Sequence, residues 1–179
     1  MKYLKKIIGE RLYLSPINPD DVDAYLKWIN EDKTLAVNFG QYPLMVSSKS
    51  DLNWLYEPPK NMHRFAIVLH DNDVLIGSIS LHNIDHLNRN AFIGIFIGGE
   101  EHRSRGYGAE AIRLILNYGF MTMNLHSINL TVHADNYGGI KCYEKAGFRE
   151  VGILPEVLFI NGKYVDKIYM SILESEFAQ

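Results

Sequence analysis

Hydrophobic positions along the chain change their spacing several times, and each spacing predicts a different element. Continuous or alternating apolar runs of strand length recur from one end of the chain to the other. The turn residues Asp71–Asn72–Asp73 and Asn161–Gly162 lie between consecutive runs and predict two hairpins. The predicted strands are residues 11–16, 65–69, 74–81, 91–98, 127–133, 148–158 and 164–172.

Segments with helical spacing separate these strands. The first predicted helix begins at residues 18–21, where an Asn cap precedes a proline and two acids, and its apolar positions run from Val22 to Ile29. Pro58 ends the second predicted helix, which is shorter than the first. Gly147, in the left-handed conformation, caps the last predicted helix. The later helices are predicted from Ser47 or Ser48 through Leu55, from Tyr107 to about Phe120, and from Asn136 to Ala146.

The order of these elements predicts the fold class. Antiparallel strands come first and a strand–helix–strand unit follows, which implies a mixed sheet with helices on both faces. We therefore predict an α/β fold of the α+β type with a mostly antiparallel central sheet. The sequence has no repeat, low-complexity tract or linker, so residues 1–179 are expected to form one domain.

Composition and charge narrow the function classes. A net charge of −3 argues against nucleic acid as the main partner. No stretch approaches the roughly 20 apolar residues of a membrane span, and no apolar run follows the basic N-terminus as it would in a signal peptide. The single cysteine, Cys142, suits a reducing compartment. The expectation is a cytoplasmic protein with no membrane partner.

The strongest chemical signal is a glycine-rich helix start. The apolar strand 93–98 is followed by a short polar loop and then by Arg103-Ser104-Arg105-Gly106-Tyr107-Gly108-Ala109. A helix start presents free N–H groups and a positive dipole end, and glycines let a ligand approach the backbone closely. Phosphate or pyrophosphate is the ligand that such a site favours.

Two other phosphate-binding designs fit this segment poorly. A P-loop requires Gly-Lys-Ser/Thr, which is absent here. Gly106, Gly108 and Ala111 match the dinucleotide pattern G-x-G-x-x-G/A, but residues 99–105 separate them from the strand. No carboxylate stands about 20 residues further on, near positions 130–131.

Two motifs together identify a family. Residues 103–108 match R/Q-x-x-G-x-G/A, and residues 136–148 match N-x-x-x-I-x-x-Y-x-x-x-G-F. Over residues 11–170 the chain resembles the GNAT N-acetyltransferases. It is most similar to the subgroup that contains spermidine acetyltransferases and ribosomal-protein N-terminal (alanine/serine) acetyltransferases, and residues 159–164 resemble the last hairpin of that subgroup. The residues of the second motif are Asn136, Ile140, Tyr143, Gly147 and Phe148.

The resemblance implies a fold and a reaction. In the GNAT fold the two middle strands, here 91–98 and 127–133, splay apart, and acetyl-CoA lies in the gap as co-substrate. The acetyl group passes to a primary amine by direct attack in a ternary complex, and neither a covalent intermediate nor a metal is needed. Members of this fold often pair through late strands, so a homodimer is a further expectation.

The resemblance also assigns residues. The backbone of Ile95, Phe96 and Ile97 is expected to pair with the pantetheine arm. Tyr143 is expected to protonate the leaving CoA thiolate as general acid. Asn136 either bonds the pantetheine arm or caps its helix. The expected pyrophosphate ligands are Arg103, Ser104, Arg105, Gly106, Tyr107, Gly108 and Ala109.

The general base is not assigned by the motifs. Many relatives have a glutamate just before the Ile-Gly of the central strand, where this chain has Phe92. The residues considered as replacements are His82, Asp85, His86 and His133.

The acceptor is equally open. Residues 30–43 form the segment expected to select the substrate, and they contain few acids. This favours a peptide N-terminus or a small amine such as an amino sugar. The alternatives are a polyamine such as spermidine, and a catalytically silent domain that senses acyl-CoA.

Overall fold

One open sheet of eight strands organises the part of the chain that the structure describes. The structure is a computed structural model and describes residues 2–32, 46, 48–160 and 162–177. The strand order is β1-β2-β3-β4-β5-β6-β8-β7, and β5 with β6 is a parallel pair among antiparallel ones. The strands are β1 (Ile7–Ile8), β2 (Leu12–Pro16), β3 (His63–Leu69), β4 (Leu75–Asp85), β5 (Asn90–Ile97), β6 (Ser127–His133), β7 (Arg149–Ile160) and β8 (Lys163–Leu173).

Helices cover both faces of the sheet. On one face α1 and α2 surround a cluster that includes Tyr25, Leu55 and Phe96. On the other face α3 and α4 cover the largest core cluster, which includes Ile93 and Ile112. The mixed sheet between two helical layers confirms the predicted fold class. The helices are α1 (Val22–Glu31), α2 (Asn53–Tyr56), α3 (Tyr107–Asn117) and α4 (Tyr137–Lys145).

The end of the third helix differs from its prediction. The α-helical bonding of α3 stops at Asn117, and a single π-helical turn, Tyr118–Thr122, follows. The wider turn places the ring of Phe120 in the core, where it contacts Phe177 at a centroid distance of 5.4 Å. The sequence predicted an α-helix that continues to about Phe120, and it did not predict the change in helix type.

The two middle strands part shortly after they begin. Only three pairs join β5 to β6, and Phe92 opposite Asn129 is the last of them. Beyond it, β5 stays bonded to β4 while β6 stays bonded to β8. The expected splay is therefore present, and it leaves a gap whose two walls are backbone edges.

Candidate active site

The edge of β5 supplies the first wall of the gap. The Gly98 N–H donates to the Ile76 carbonyl at 2.8 Å, and the register along β4 is regular from there to His82. Since antiparallel pairing alternates, the N–H and C=O groups of Ile95 and Ile97 point away from β4 and into the gap.

Phe96 has a different position from its two neighbours. The same alternation directs its backbone toward β4. Its ring contacts Tyr25 and Trp28 of α1 edge-on, at centroid distances of 5.8 and 6.1 Å. Of the three strand residues predicted to bind pantetheine, Ile95 and Ile97 face the gap through their backbone, and Phe96 faces α1 through its side chain.

The glycine-rich loop is an exposed turn at the start of α3. Ser104 and Gly106 have positive φ angles of 57° and 83°, and Gly106 is the N-cap residue of the helix. The Arg103 N–H donates to the Glu100 carbonyl at 3.1 Å. Within the described part of the chain, the N–H groups of residues 104–109 have no backbone acceptor. These N–H groups are therefore open to an anion, and pyrophosphate binding by this loop stays a prediction.

The two loop arginines have different partners. The Arg103 guanidinium donates through Nε to the Ile97 carbonyl at 3.0 Å and forms an ion pair with both oxygens of Asp32. The Arg105 side chain is exposed. The structure therefore places Arg103 in a part-buried contact between β5 and the end of α1, and Arg105 at the surface where an anion can reach it.

An unpredicted contact holds this loop in place. Arg11 donates through Nη1 to the Arg105 carbonyl at 2.9 Å, and its guanidinium lies 4.9 Å from the centre of the Tyr107 ring. Its Nε donates to Glu110 at 2.8 Å, and the same carboxylate accepts the backbone N–H groups of Arg11 and Leu12. The partners lie almost a hundred positions apart along the chain, so no local pattern in the sequence reveals this contact.

Gly108 brings α3 close to α4. A methyl group on Gly108 would lie 3.4 Å from Cys142 Sγ, so the two helices approach closely there. Burial raises the pKa of the Cys142 thiol, which keeps it protonated and unsuited to act as a nucleophile. The contact fixes α4, and with it the next residue, Tyr143.

Tyr143 is half-buried on the inner side of α4. Its ring meets Phe148 edge-on at 5.8 Å. Burial, with a smaller effect of Cys142, raises its pKa well above the ordinary value. The phenol is therefore protonated at neutral pH, as a general acid must be.

Asn136 caps α4. Its side-chain oxygen accepts the Gly139 N–H at 2.9 Å. A side chain on Gly139 would collide with that amide group, so the glycine makes room for the cap. Of the two roles left open for Asn136, the structure contains the capping bond, and pantetheine binding stays a prediction.

A face with both polar and aromatic side chains lies beside the gap, on the α1 side of the sheet. His82 of β4 stands opposite Phe92 of β5, with ring centroids 6.1 Å apart. A methyl group on Gly94 would lie 3.5 Å from His82 Cε1 and 3.5 Å from Ser80 Oγ. Burial and the positive charge of Arg64 lower the pKa of His82. His82 is therefore mostly neutral at physiological pH.

The other base candidates are less well placed. Asp85 accepts the backbone and side-chain N–H groups of Asn88 in the β4–β5 turn, and those bonds lower its pKa. His86 is exposed on the same turn. His133 is 7% exposed at the far end of β6, and burial and Lys167 lower its pKa. Its Nδ1 has no hydrogen-bond partner among the residues that the structure describes.

The predicted acceptor segment lies mostly outside the residues that the structure describes. Of the acceptor segment 30–43, residues 33–43 lie outside the described residues. Among the described residues, no group of three or more His, Cys, Asp or Glu side chains is arranged to hold a metal ion. No helix in the described ranges is long and apolar enough to cross a membrane.

Known proteins share this architecture. Residues 11–149 match the GNAT acetyltransferase domain. The chain is 25% identical to the uncharacterized N-acetyltransferase p20 of Bacillus licheniformis over 178 residues, which are 98% of this chain and 99% of that protein. It is 38% identical to the spermidine N(1)-acetyltransferase of Vibrio cholerae over 117 residues, 65% of this chain and 67% of that one.

A solved structure agrees with these sequence relatives. The crystal structure of spermidine N-acetyltransferase from Vibrio cholerae in complex with CoA and spermine matches with a TM-score of 0.83 and 31% identity, covering 93% of this chain and 97% of that one. The domain match alone spans well over half of the sequence. The chain therefore belongs to the GNAT family of acetyl-CoA-dependent N-acetyltransferases.

Proposed function

We propose that this protein transfers the acetyl group of acetyl-CoA to the primary amine of a small molecule or of a peptide N-terminus, by direct attack in a ternary complex. The observation that carries the proposal is the gap between β5 and β6, which opens next to a helix start with free N–H groups. One ligand with a pyrophosphate and an amide-bearing arm fits both features. Acetyl-CoA is such a ligand.

The cofactor site is proposed to work through backbone groups. The N–H groups of residues 104–109 hold the pyrophosphate, and Arg105 adds a charge-assisted bond from the surface. The exposed edge of Ile95 and Ile97 pairs with the pantetheine amides as an added strand would. An N–H on this edge also polarises the thioester carbonyl. Arg103 acts indirectly, because its guanidinium already binds Asp32 and the Ile97 carbonyl.

Tyr143 is proposed as the general acid. It lies on α4, beside the α3 start that holds the pyrophosphate, and its raised pKa keeps the proton available. As the C–S bond breaks, the thiolate takes the phenolic proton. This role separates an enzyme from a silent acyl-CoA sensor, because a sensor needs the loop but has no use for an acid.

The acceptor is the open part of the proposal. The relatives from Vibrio cholerae are named for spermidine, which makes a polyamine the rival acceptor. A polyamine needs several carboxylates, whereas residues 33–45 contain none. Asp32 is already bound to Arg103, and Arg64 adds positive charge near His82. These observations favour an acceptor with a single ammonium group.

A homodimer is proposed through the outer edge of β7. This strand ends the sheet, so one of its edges has no neighbouring strand within the described residues. A row of exposed large apolar side chains lies along it, and edges of this kind commonly pair with another chain. The row consists of Val151, Ile153, Leu154, Val157 and Phe159.

The experiment that tests the proposal is thiol release from acetyl-CoA in the presence of an amine panel. The panel contains spermidine, peptides that begin with alanine or serine, and glucosamine. Release with a peptide or the amino sugar supports the proposed acceptor class, and release with spermidine alone supports the polyamine rival. Acetyl-CoA binding without release for any amine would instead favour the sensor.

A further inference from the structure

The geometry points to His82 as the catalytic base that removes a proton from the acceptor ammonium before attack. This inference rests on the proposed acetyl transfer and names the residue that the sequence motifs leave unassigned. Four observations support it: the position of His82 at the gap, the open space beside it, its charge environment, and its position relative to Tyr143.

His82 lies one strand away from the gap, beside the point on β5 where the gap begins. It pairs with Phe92, and Phe92 is also the last residue of β5 that pairs with β6. Cross-strand partners share a face of the sheet, so the imidazole and the Phe92 ring lie side by side, with an interplanar angle of 34°. Tyr169 of β8 closes the far side of Phe92, edge-on at 5.9 Å. The imidazole therefore lies next to the end of the paired region.

Gly94 leaves space next to the imidazole. It is the next residue of β5 on the same face, and its missing side chain exposes His82 Cε1 and Ser80 Oγ across a space of about one methyl group. The following residue, Ile95, presents its backbone to the gap. An amine in this recess would lie between the imidazole and a thioester bound along the Ile95 edge.

The surrounding charges favour a neutral imidazole. Among the described residues, Arg64 on β3 is the charged group that acts on His82, and its positive charge lowers the pKa of His82, as burial does. Ser80 on β4 and Phe92 and Gly94 on β5 carry no charge. A neutral imidazole can accept a proton, and the field of Arg64 also favours loss of a proton from an ammonium group nearby.

The base and the acid lie on opposite faces of the sheet. His82 shares the α1 face with Phe96, whereas Tyr143 belongs to the core cluster under α3 and α4. The gap between β5 and β6 connects the two faces. The ammonium can therefore approach from one side while the thiolate leaves toward the other, so the amine and the leaving group do not compete for the same space.

The proton balance closes with these two residues. An imidazole nitrogen of His82 takes one proton from the ammonium group, and the freed nitrogen lone pair attacks the thioester carbon. The C–S bond breaks, and the thiolate takes the proton of Tyr143. The new amide nitrogen returns its second proton to the tyrosinate through water, and His82 releases its proton to solvent. The products are the acetamide, free CoA thiol and one proton.

The test compares kcat/KM of wild-type protein and His82→Gln from pH 5.5 to 10 with each amine of the panel. We expect the wild-type rate to rise through a pKa below the ordinary imidazole value of about 6.5 and then to level off. In His82→Gln, which lacks the base, kcat/KM should rise with the deprotonated fraction of the amine until the pH reaches the pKa of the amine. The loss at pH 7 should be about 10- to 1,000-fold and larger for the more basic amine.

His86→Gln is the matched control, since His86 is exposed on the nearby turn. Acetyl-CoA affinity of His82→Gln should stay within about twofold of wild type, because the imidazole lies outside the cofactor loop. The double variant His82→Gln with Phe92→Glu places a carboxylate directly opposite the lost imidazole, and it should recover part of the rate at pH 7.

Other outcomes overturn the inference. An unchanged pH profile in His82→Gln would exclude His82 as the base. If the rise of kcat/KM at low pH disappears in His133→Gln instead, the role belongs to His133. An equal loss of acetyl-CoA affinity and turnover would make His82 structural. If the wild-type protein transfers acetyl to no amine, the proposed function fails and the inference fails with it, whatever the variant does.

Discussion

Tyr143 is the residue whose proposed role distinguishes an active enzyme from a silent acyl-CoA sensor. We expect Tyr143→Phe to lower kcat by about 100- to 1,000-fold, because the thiolate then leaves without a proton donor. Acetyl-CoA affinity should hardly change, since the ring and its contact with Phe148 are kept. Assays of thiol release measure kcat, and calorimetry measures the affinity for acetyl-CoA. The control is Tyr137→Phe, on the same helix but 72% exposed.

The Tyr143 prediction has two clear contrary results. Equal losses of affinity and turnover would make the ring a structural element. Full activity would exclude it as the acid and leave protonation of the thiolate to water.

Gly106 tests where the pyrophosphate lies. We expect Gly106→Val to weaken acetyl-CoA binding by about tenfold or more, because a branched side chain at φ 83° strains the backbone and its Cβ would lie 3.3 Å from Arg11 Nη2, which holds the loop. Gly162→Val is the control that separates backbone strain at positive φ from a local effect on the loop. Gly162 also has positive φ, 79°, but lies in the last hairpin, where a side chain meets nothing. Unchanged cofactor affinity in Gly106→Val would exclude this loop as the pyrophosphate site.

At the scale of elements, Glu110 joins β2 to the start of α3. In Glu110→Ala the N–H groups of Arg11 and Leu12 lose their acceptor and Arg11 loses its ion pair. We expect acetyl-CoA affinity to fall about three- to tenfold and the melting temperature to drop by several degrees. Arg113→Ala, three residues along the same helix and exposed, should change neither. A normal affinity in Glu110→Ala would show that the loop keeps its shape without this anchor.

Which elements could be predicted depended on how local their causes are. The hairpin turn at residues 71–73, the cap at Asn136 and the left-handed Gly147 follow from residues within a few positions of each other. The contact between Arg11 and Glu110 joins distant segments, and the π turn after α3 depends on where Phe120 fits in the core. No nearby sequence pattern encodes either of them.

The same distinction between local causes and contacts between distant segments applies to the candidate site. The two motifs point to the loop at residues 103–109 and to Tyr143 because each motif lies within one short continuous segment, and the roles of these residues stay predictions. They did not assign the base, since the side chain opposite Phe92 is set by strand register between β4 and β5. The partner of Arg103 was also unpredictable, because Asp32 is brought to it by the packing of α1 on the sheet.

At the scale of the whole molecule, the exposed edge of β7 predicts self-association. We expect Ile153→Lys to convert a dimer to a monomer, because a buried lysine in the centre of the apolar row would lack a partner. Sedimentation velocity at several concentrations measures the change. Leu87→Lys, on the remote β4–β5 turn, is the control. A wild-type protein that sediments as a monomer at every concentration would contradict the proposed dimer.

The ion pair between Arg103 and Asp32 has a consequence for how the binding of acetyl-CoA affects the binding of the amine. Asp32 is the residue at which α1 ends and the acceptor segment continues, and Arg103 precedes the pyrophosphate loop and holds the Ile97 carbonyl. A shift of Asp32 would move Arg103, and a shift of Arg103 would move Asp32, because the ion pair joins the two side chains directly. Thermodynamic reciprocity then requires that acetyl-CoA and the amine change each other's affinity by the same factor. Breaking this pair would remove this route of coupling between the two binding events.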